Sequence, residues 1–469
     1  MKNMTLSAIA KACDGIYTGA EEYRSKEVSS VVIDSRIVQQ DGLFIAIKGE
    51  RVDGHSFIGM VKEKGCACVV CESVPKEEDL QRTDLGDQMP YILVKDTGKA
   101  LRDIAAYYRS QLDVKVVGIT GSVGKTSTKE VIASVLAQKF KVRKTQGNFN
   151  NEIGVPLTIF SITQEDEIAV VELGINHFNE MHRLGEIARP DVCVYTNIGQ
   201  CHLENLGSRD GILKAKTELF DHLMDGARVF LNGDDDKLST IEQVQGRKPV
   251  FYGTAQKNDY RILKIELDGI FGSKAVLATP QETFETFVPL PGEHMVYNAL
   301  AACAVGEYFG MTLAQIDQGI RSVEAVMGRS HVIKEKNYTI IDDCYNANPV
   351  SMKAAISLLD MANTRKVAIL GDMFELGEKE KELHVQVGGY LSEYNIDVLI
   401  CVGTLSKNMY DQAIVTCRES RKNTQIYYFA DKEKMLEALP TILQPADTVL
   451  VKASHGMEFT KVVEFLKEN

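Results

Sequence analysis

The strongest constraint on how this chain folds is a rhythm that starts at Val114. The apolar runs VKVVGIT, IAVVELG, VCVYTNIG and RVFLNGDDD are each followed by a segment of helical periodicity. Apolar runs without alternation are buried on both faces, and strands separated by helices require right-handed crossovers, so the pattern predicts a parallel sheet. After the link EAVMGR the rhythm resumes with YTIIDD, KVAILGDM, VLICVG, QIYYFA and DTVLVKAS, each leading into a helix. This second series predicts a doubly wound, Rossmann-like domain. Between the two series, YRILKIEL, SKAVLAT and ETFETFVPL alternate residue by residue, which predicts a small antiparallel addition, and helices are expected from His294 and from Thr312. Ahead of Val114, short strand runs (Val31–Ile33, LFIAIKG, ACVVCE, YILV) mix with a helix over Thr97–Arg109.

The expected class is α/β in three domains. Residues 1–112 form a smaller α/β domain, 113–327 a central parallel-sheet domain with a phosphate loop, and 328–469 a Rossmann-like domain. A length of 469 residues accommodates three cores of ordinary size. The formal charge of -12 argues against a nucleic-acid groove, which needs a basic surface to displace counterions. No run approaches the ~18 apolar residues of a membrane span, and MKNMTLSAIAKACDG lacks the apolar stretch of a signal peptide. A cytoplasmic monomer, not embedded in a membrane, is the expectation. Ten cysteines are scattered through the chain. Cys68 and Cys71 make a C-x-x-C inside an alternating apolar strand with no second ligand pair nearby, which reads as buried free thiols.

Open parallel sheets bind ligands beyond the carboxyl ends of their strands. The first central strand ends in GITGSVGKTSTKE, whose glycines at 118, 121 and 124 are spaced differently from the common G-x-x-x-x-G-K-[ST] loop. Gly121 and Gly124 still let backbone amides curl round phosphates, Lys125 reaches terminal phosphates, and Thr126 offers a hydroxyl to magnesium at a helix start. Glu172 ends the next buried run, where a nucleotide enzyme holds its metal. His202, after VCVYTNIGQ, is delivered to the same region as a metal ligand, a phosphate donor or a structural histidine. In GILKAKTELFDHL a helix would place Ile212, Lys216, Leu219, Phe220 and Leu223 on one face, with Lys214 pointing away. A lysine on an apolar face must have its charge paired or removed. A salt bridge to Glu172 would do this, and so would reaction with carbon dioxide to give a carbamate.

In order along the chain, TGSVGKTSTKE, TQGNFNNEIGVP, VVELGINHFNEM, TNIGQCHLENLGS, AKTELF, LNGDDD, PGEHMVYNALAA, MGRSH, DDCYNANPVSM and GDMFELGE resemble the Mur ligases over essentially the whole length. The shifted glycine spacing is similar to that family's version of the loop. Within the family, DSRIVQQDGLFIAIKGERVDGHSF, NFNNEIGVP and GDMFELGEKEKELH are similar to the member whose substrates are UDP-N-acetylmuramoyl-tripeptide and D-alanyl-D-alanine.

The resemblance implies ATP-dependent ligation through an acyl phosphate, with two magnesium ions. It implies that Gly121, Ser122, Val123, Gly124, Lys125, Thr126 and Ser127 wrap the ATP phosphates. Thr126 and Glu172 would hold one magnesium, and His202 with Lys216 as a carbamate would serve the second, which decides the alternative above. Lys125, Lys216, His202 and Glu172 would be the catalytic group. Asn298 would contact adenine, and Arg329 and Asp343 would reach the nucleotide. Asn148 and Asn151 would lie near the acceptor, with Tyr345, Asn346, Lys452 and Ser454 on the dipeptide side. Ser35, Arg36, Lys48, Asp53 and His55 would bind the UDP-sugar. Three positions depart from the family pattern: Met295 in place of an asparagine, and Ala453 and His455 in place of the glycine and arginine of a K-G-S-R motif. A sister ligase, a folylpolyglutamate synthetase and an ATP-hydrolysing switch are the rival readings.

Overall fold

The structure is a computed structural model that describes every residue except 50, 51, 82–87, 200, 202 and 375, and omits the side chain of Leu203. The chain divides into two compact units. The first comprises Met1–Arg261, Thr279–Gln281 and Asn298–Gly319; the second comprises Ile262–Ala278, Glu282–Tyr297 and Ile320–Asn469.

The first unit contains β1 (Ile16–Thr18), β2 (Val31–Val32), β3 (Leu43–Ile45), β4 (Cys68–Cys71) and β5 (Tyr91–Leu93) in one sheet of order β1-β5-β4-β3-β2. Only β1 runs antiparallel to its neighbour. Cys68 and Cys71 on β4 are both buried, and neither is in a disulfide among the described residues. The helix Thr97–Ser110 is capped by Asp96, whose carboxylate accepts from the Lys99 amide. Its Leu101, Ile104 and Ala105 enter an apolar core that also takes in Val116, Ala169, Val171 and Cys193 of the next sheet.

That next sheet is built from β6 (Lys115–Thr120), β7 (Val142–Lys144), β8 (Ile168–Glu172), β9 (Val192–Tyr195), β10 (Arg228–Asn232) and β11 (Val250–Gly253). Within it the order is β11-β10-β9-β6-β8-β7, all parallel. The apolar runs become strands because nearly every residue of β6, β8 and β9 is buried on both faces. The alternating stretch resolves into two pairings. β12 (Tyr260–Leu267) starts parallel to β11, with Tyr252 opposite Tyr260, whereas β13 (Ser273–Ala278) and β14 (Thr283–Val288) in the second unit form an antiparallel hairpin. The expected helices run Glu293–Tyr308 and Leu313–Arg321.

The second unit carries β15 (His331–Lys334), β16 (Tyr338–Asp342), β17 (Lys366–Gly371), β18 (Val398–Val402), β19 (Gln425–Phe429) and β20 (Asp447–Lys452). Their order is β15-β16-β20-β17-β18-β19, parallel except for β15. Apolar cores lie on both faces, one around Leu359, Leu370 and Leu399 and the other around Ile369, Val449 and Phe459. The α/β architecture with parallel sheets is therefore the one the strand–helix rhythm predicts. Among the described residues, no helix is long and apolar enough to cross a membrane.

Candidate active site

In the first unit, β6 ends at Thr120 and the helix Lys125–Leu136 begins after a four-residue loop. Gly121 has φ 149° and Gly124 φ 83°, conformations that L side chains rarely adopt. Gly121 also makes room for Thr196. A Cβ at 121 would lie 2.0 Å from Thr196 Oγ1, which donates to the Val123 carbonyl at 2.6 Å. Asn197 completes the strap. Its carbonyl accepts from Ser122 N at 3.0 Å, its Oδ1 accepts from Val123 N at 3.0 Å, and its Nδ2 donates to Val123 O at 3.1 Å.

The amides of Ser122 and Val123 are thus spent on holding the loop to the end of β9. The amides left over are those at the helix start, from Gly124 to Ser127, where the backbone leaves N–H groups without intrahelical acceptors and the dipole favours an anion. Lys125 Nζ curls over the loop and donates to Gly121 O at 2.9 Å and Ser122 O at 3.4 Å.

The β6–β8 register sets Glu172 opposite Ile119, which brings its carboxylate beside the loop. Glu172 is 1% exposed. Its Oε1 accepts from Thr126 Oγ1 at 3.1 Å and from Asn150 Nδ2 at 2.8 Å. Its Oε2 is buried with no hydrogen-bond partner. A buried carboxylate with one orphaned oxygen, its other oxygen bonded to a threonine hydroxyl at a phosphate loop, is a hard oxygen set that suits magnesium, so the residues fit the expected metal. Asn150, which the sequence reading passed over between Asn148 and Asn151, is the asparagine that reaches Glu172.

Lys216 lies in the helix Arg209–Thr217, which tightens to a 3-10 turn over Glu218–His222. Ile212, Lys216 and Leu219 of the predicted face are buried and Lys214 is exposed, whereas Phe220 and Leu223, in and just past the 3-10 turn, are only half-buried. No hydrogen bond or ion pair holds the Lys216 ammonium among the described residues. The salt bridge to Glu172 is absent: the cation beside Glu172 is Lys129, with Nζ 3.8 Å from Oε2. Burial, reinforced by the field of Lys125, pushes the Lys216 ammonium down from 10.5 to about 7. A sizeable neutral fraction at neutral pH is the state that reacts with carbon dioxide. His202 falls outside the described residues.

Asn298 is buried in the helix Glu293–Tyr308, and its Oδ1 accepts from Thr128 Oγ1 at 2.8 Å, one turn beyond the phosphate loop. Asn151 Oδ1 accepts from the Ile153 and Gly154 amides at the start of the helix Gly154–Phe160, and the Asn148 side chain is exposed. The UDP-sugar set is engaged locally. Arg36 grips Asp34 with two nitrogens and holds that carboxyl down at about 2. Asp53 accepts from the His55 amide and ring, while His55 Nε2 accepts from Glu72 N at 2.9 Å. Lys48 forms a backbone bridge with Asp53, and Ser35 O accepts from Lys64 Nζ at 2.8 Å.

In the second unit the structure gathers a separate constellation at the carboxyl ends of β16 and β20. Lys452 Nζ donates to Asp343 Oδ2 at 2.6 Å and to Asn346 O at 2.9 Å. Arg329 stacks on Tyr345 at 4.3 Å, and the Tyr345 ring lies 6.1 Å from the exposed His455. Ser454 Oγ accepts from Phe374 N at 2.8 Å. Ala453 is fully buried, and Met295 is almost so.

A glycine loop at a helix start, a buried acid on the neighbouring strand and a second parallel-sheet unit with strand-end polar groups define a phosphate-loop nucleotide-using enzyme. The chain belongs to the Mur ligase family. Family models match residues 27–109 (Mur ligase family, catalytic domain), 119–306 (Mur ligase middle domain) and 328–455 (Mur ligase, glutamate ligase domain). The UDP-N-acetylmuramoyl-tripeptide--D-alanyl-D-alanine ligase of Bacillus subtilis is 36% identical over 100% of this chain and 99% of its own. A crystal structure of MurF from Acinetobacter baumannii covers 99% of both chains at 30% identity and TM-score 0.87. A MurF ligase from Thermotoga maritima, solved in complex with ADP, covers 94% of this chain and 97% of its own at 29% identity and TM-score 0.78.

Proposed function

We propose that this chain is an ATP-dependent ligase that joins D-alanyl-D-alanine to UDP-N-acetylmuramoyl-tripeptide, giving UDP-N-acetylmuramoyl-pentapeptide, ADP and phosphate. The observation that carries the ATP half is the open Glu172 Oε2 beside Thr126 at the phosphate loop. The acceptor half rests on full-length likeness to relatives named for that reaction.

A carboxylate is a poor electrophile, and it repels the phosphates it must attack. In the proposed sequence the terminal carboxylate of the peptide attacks the γ-phosphate and releases ADP. The amine of the dipeptide then adds to the acyl phosphate, and phosphate leaves through a tetrahedral intermediate. Lys125 and the amides at the start of its helix neutralise charge on the transferred group. Magnesium, when bound, supplies further charge neutralisation on the phosphate oxygens, with Thr126 and Glu172 holding one ion and His202 and carbamylated Lys216 serving a second. Residues 1–112 would bind the UDP end and 328–469 the dipeptide, with Asn298, Arg329 and Asp343 on the nucleotide. Work of this kind belongs to the cytoplasm, and a monomer suffices for it.

The test is phosphate release with UDP-N-acetylmuramoyl-tripeptide and ATP while D-alanyl-D-alanine, D-alanine, meso-diaminopimelate and lysine are added in turn. Release with the dipeptide alone, and a product heavier by the dipeptide less water, is expected. Release with a single amino acid would move the chain to a sister step, and release without any amine would make it a hydrolase.

A further inference from the structure

We propose that Lys129 is a positioning residue for ligation: it tethers the 145–151 asparagine loop to the phosphate-loop helix while leaving Glu172 Oε2 open. The inference rests on the reading of Glu172 given above. Lys129 lies one turn past Lys125 on the same helical face and is 1% exposed. A buried ammonium is costly unless its protons are used and its charge is balanced.

Lys129 Nζ has three donors. It donates to Thr145 O at 2.8 Å and lies 3.4 Å from Gly147 O and 3.1 Å from Glu130 Oε1. Those contacts account for its protons, and Glu172 Oε2 at 3.8 Å lies beyond hydrogen-bond reach. The ammonium therefore balances the Glu172 charge without capping the oxygen that a cation would take. Glu130 is held on its other side by Lys144.

Thr145 joins this tether to the site, because its Oγ1 accepts from Glu172 N at 3.0 Å and its own amide donates to Val170 O at 3.0 Å. From there the loop runs to Asn150, whose Nδ2 donates to Glu172 Oε1 at 2.8 Å and whose carbonyl accepts from Gly174 N at 2.8 Å. The loop is thus pinned at its tip by Asn150 and at its root by Lys129. By contrast, the strap on the phosphate loop from Thr196 and Asn197 involves none of these atoms. Losing Lys129 frees Thr145 O and Gly147 O and lets Asn150 and Glu172 drift, while the Thr196 and Asn197 strap on the phosphate loop keeps its bonds.

Three substitutions in the full chain separate the roles. Lys129→Met removes charge and donors at similar volume, Lys129→Gln keeps N–H donors without charge, and Lys129→Arg keeps both. Ligation kcat and ADP affinity by calorimetry without magnesium are measured side by side. A misplacement near 1 Å costs on the order of a hundredfold in rate, so Lys129→Met should lose about 30-fold or more in kcat with ADP affinity within about threefold of the parent. Lys129→Arg should recover about tenfold of that loss. Unchanged kcat, a parallel fall in ADP affinity, or an arginine variant no better than methionine overturns the proposal. If the methionine variant does not fold, the glutamine variant, which keeps two of the three donors on a shorter side chain, carries the comparison: a smaller fall in kcat at unchanged ADP affinity is expected, and an unchanged kcat or a parallel fall in ADP affinity overturns the proposal. Glu172→Gln separates the two levels: full activity there overturns the reading of the site itself, whereas an inactive Glu172→Gln beside a fully active Lys129→Met overturns this inference alone.

Discussion

Lys216→Met should stabilise the protein and abolish ligation. The folded chain holds this ammonium without an ion-pair partner among the described residues, and its pKa is lowered from 10.5 to about 7 by burial and by Lys125. Between those values the unfolded chain carries a proton that the folded chain has released, so the unfolded state binds more protons and stability rises with pH across the window. The contribution is fully present above pH 10.5 and is lost as the pH falls to about 7. At about 1.4 kcal/mol for each pH unit, the full difference amounts to about 5 kcal/mol at neutral pH, an upper bound that relaxation and water entry would reduce to ~2–5 kcal/mol. Methionine fills a similar volume without that cost. Thermal melts in buffer stripped of carbon dioxide should therefore show the variant several degrees higher at pH 7, with the gap closing toward pH 10. A variant that melts lower at every pH would mean that the ammonium is paired in the folded state, and the desolvation argument would fail.

Three further outcomes follow from named contacts. Lys216→Ala should lose ligation and regain part of it with added formate or acetate, since a short carboxylate replaces the carbamate; the absence of rescue at high carboxylate concentration would count against the carbamate. Gly121→Ala should raise the KM for ATP by about tenfold or more, because the new Cβ displaces Thr196 Oγ1 from the Val123 carbonyl in a backbone conformation that already disfavours a side chain; an unchanged KM would show that the strap is dispensable. Lys452→Met should destabilise the protein by ~3–5 kcal/mol, because Asp343 keeps a buried charge without its 2.6 Å partner, and Lys452→Met with Asp343→Asn should recover part of that loss in a double-mutant melt.

The central strands were legible because burial on both faces leaves an unbroken apolar run, as in Ile168–Glu172 and Val398–Val402. Two edge strands carry no such mark. His331–Lys334 and Val142–Lys144 are only half-buried, mix charged with apolar residues, and escape a reading by periodicity. The parallel pairing of the first residues of β12 with β11 was not legible, because an alternating strand reports which face is buried and says nothing about the direction of its neighbour.

The same division holds at the site. Thr126 and Glu172 could be found because a strand end and a helix start fix them locally. The Lys216 face was readable for the same reason, since four-residue spacing decides it. Whether a salt bridge to Glu172 balances Lys216 was not readable: Glu172 faces Lys129 and Asn150, and those contacts depend on how β7, β8 and the helix Lys125–Leu136 pack. Asn150 and Lys129 carry no signal that would separate them from neighbouring Asn148, Asn151 and Lys125 before the fold is known.

Activation of a carboxylate by phosphoryl transfer at the loop between Gly121 and Thr126 is the central step of the proposed reaction. The direct test is a single-turnover reaction with ATP, D-alanyl-D-alanine and UDP-N-acetylmuramoyl-tripeptide whose terminal carboxylate carries heavy oxygen, followed by mass analysis of the released phosphate. Each phosphate should carry one heavy oxygen from the peptide, and none should be released without the peptide substrate. Unlabelled phosphate accompanying peptide-bond formation would contradict the proposed reaction.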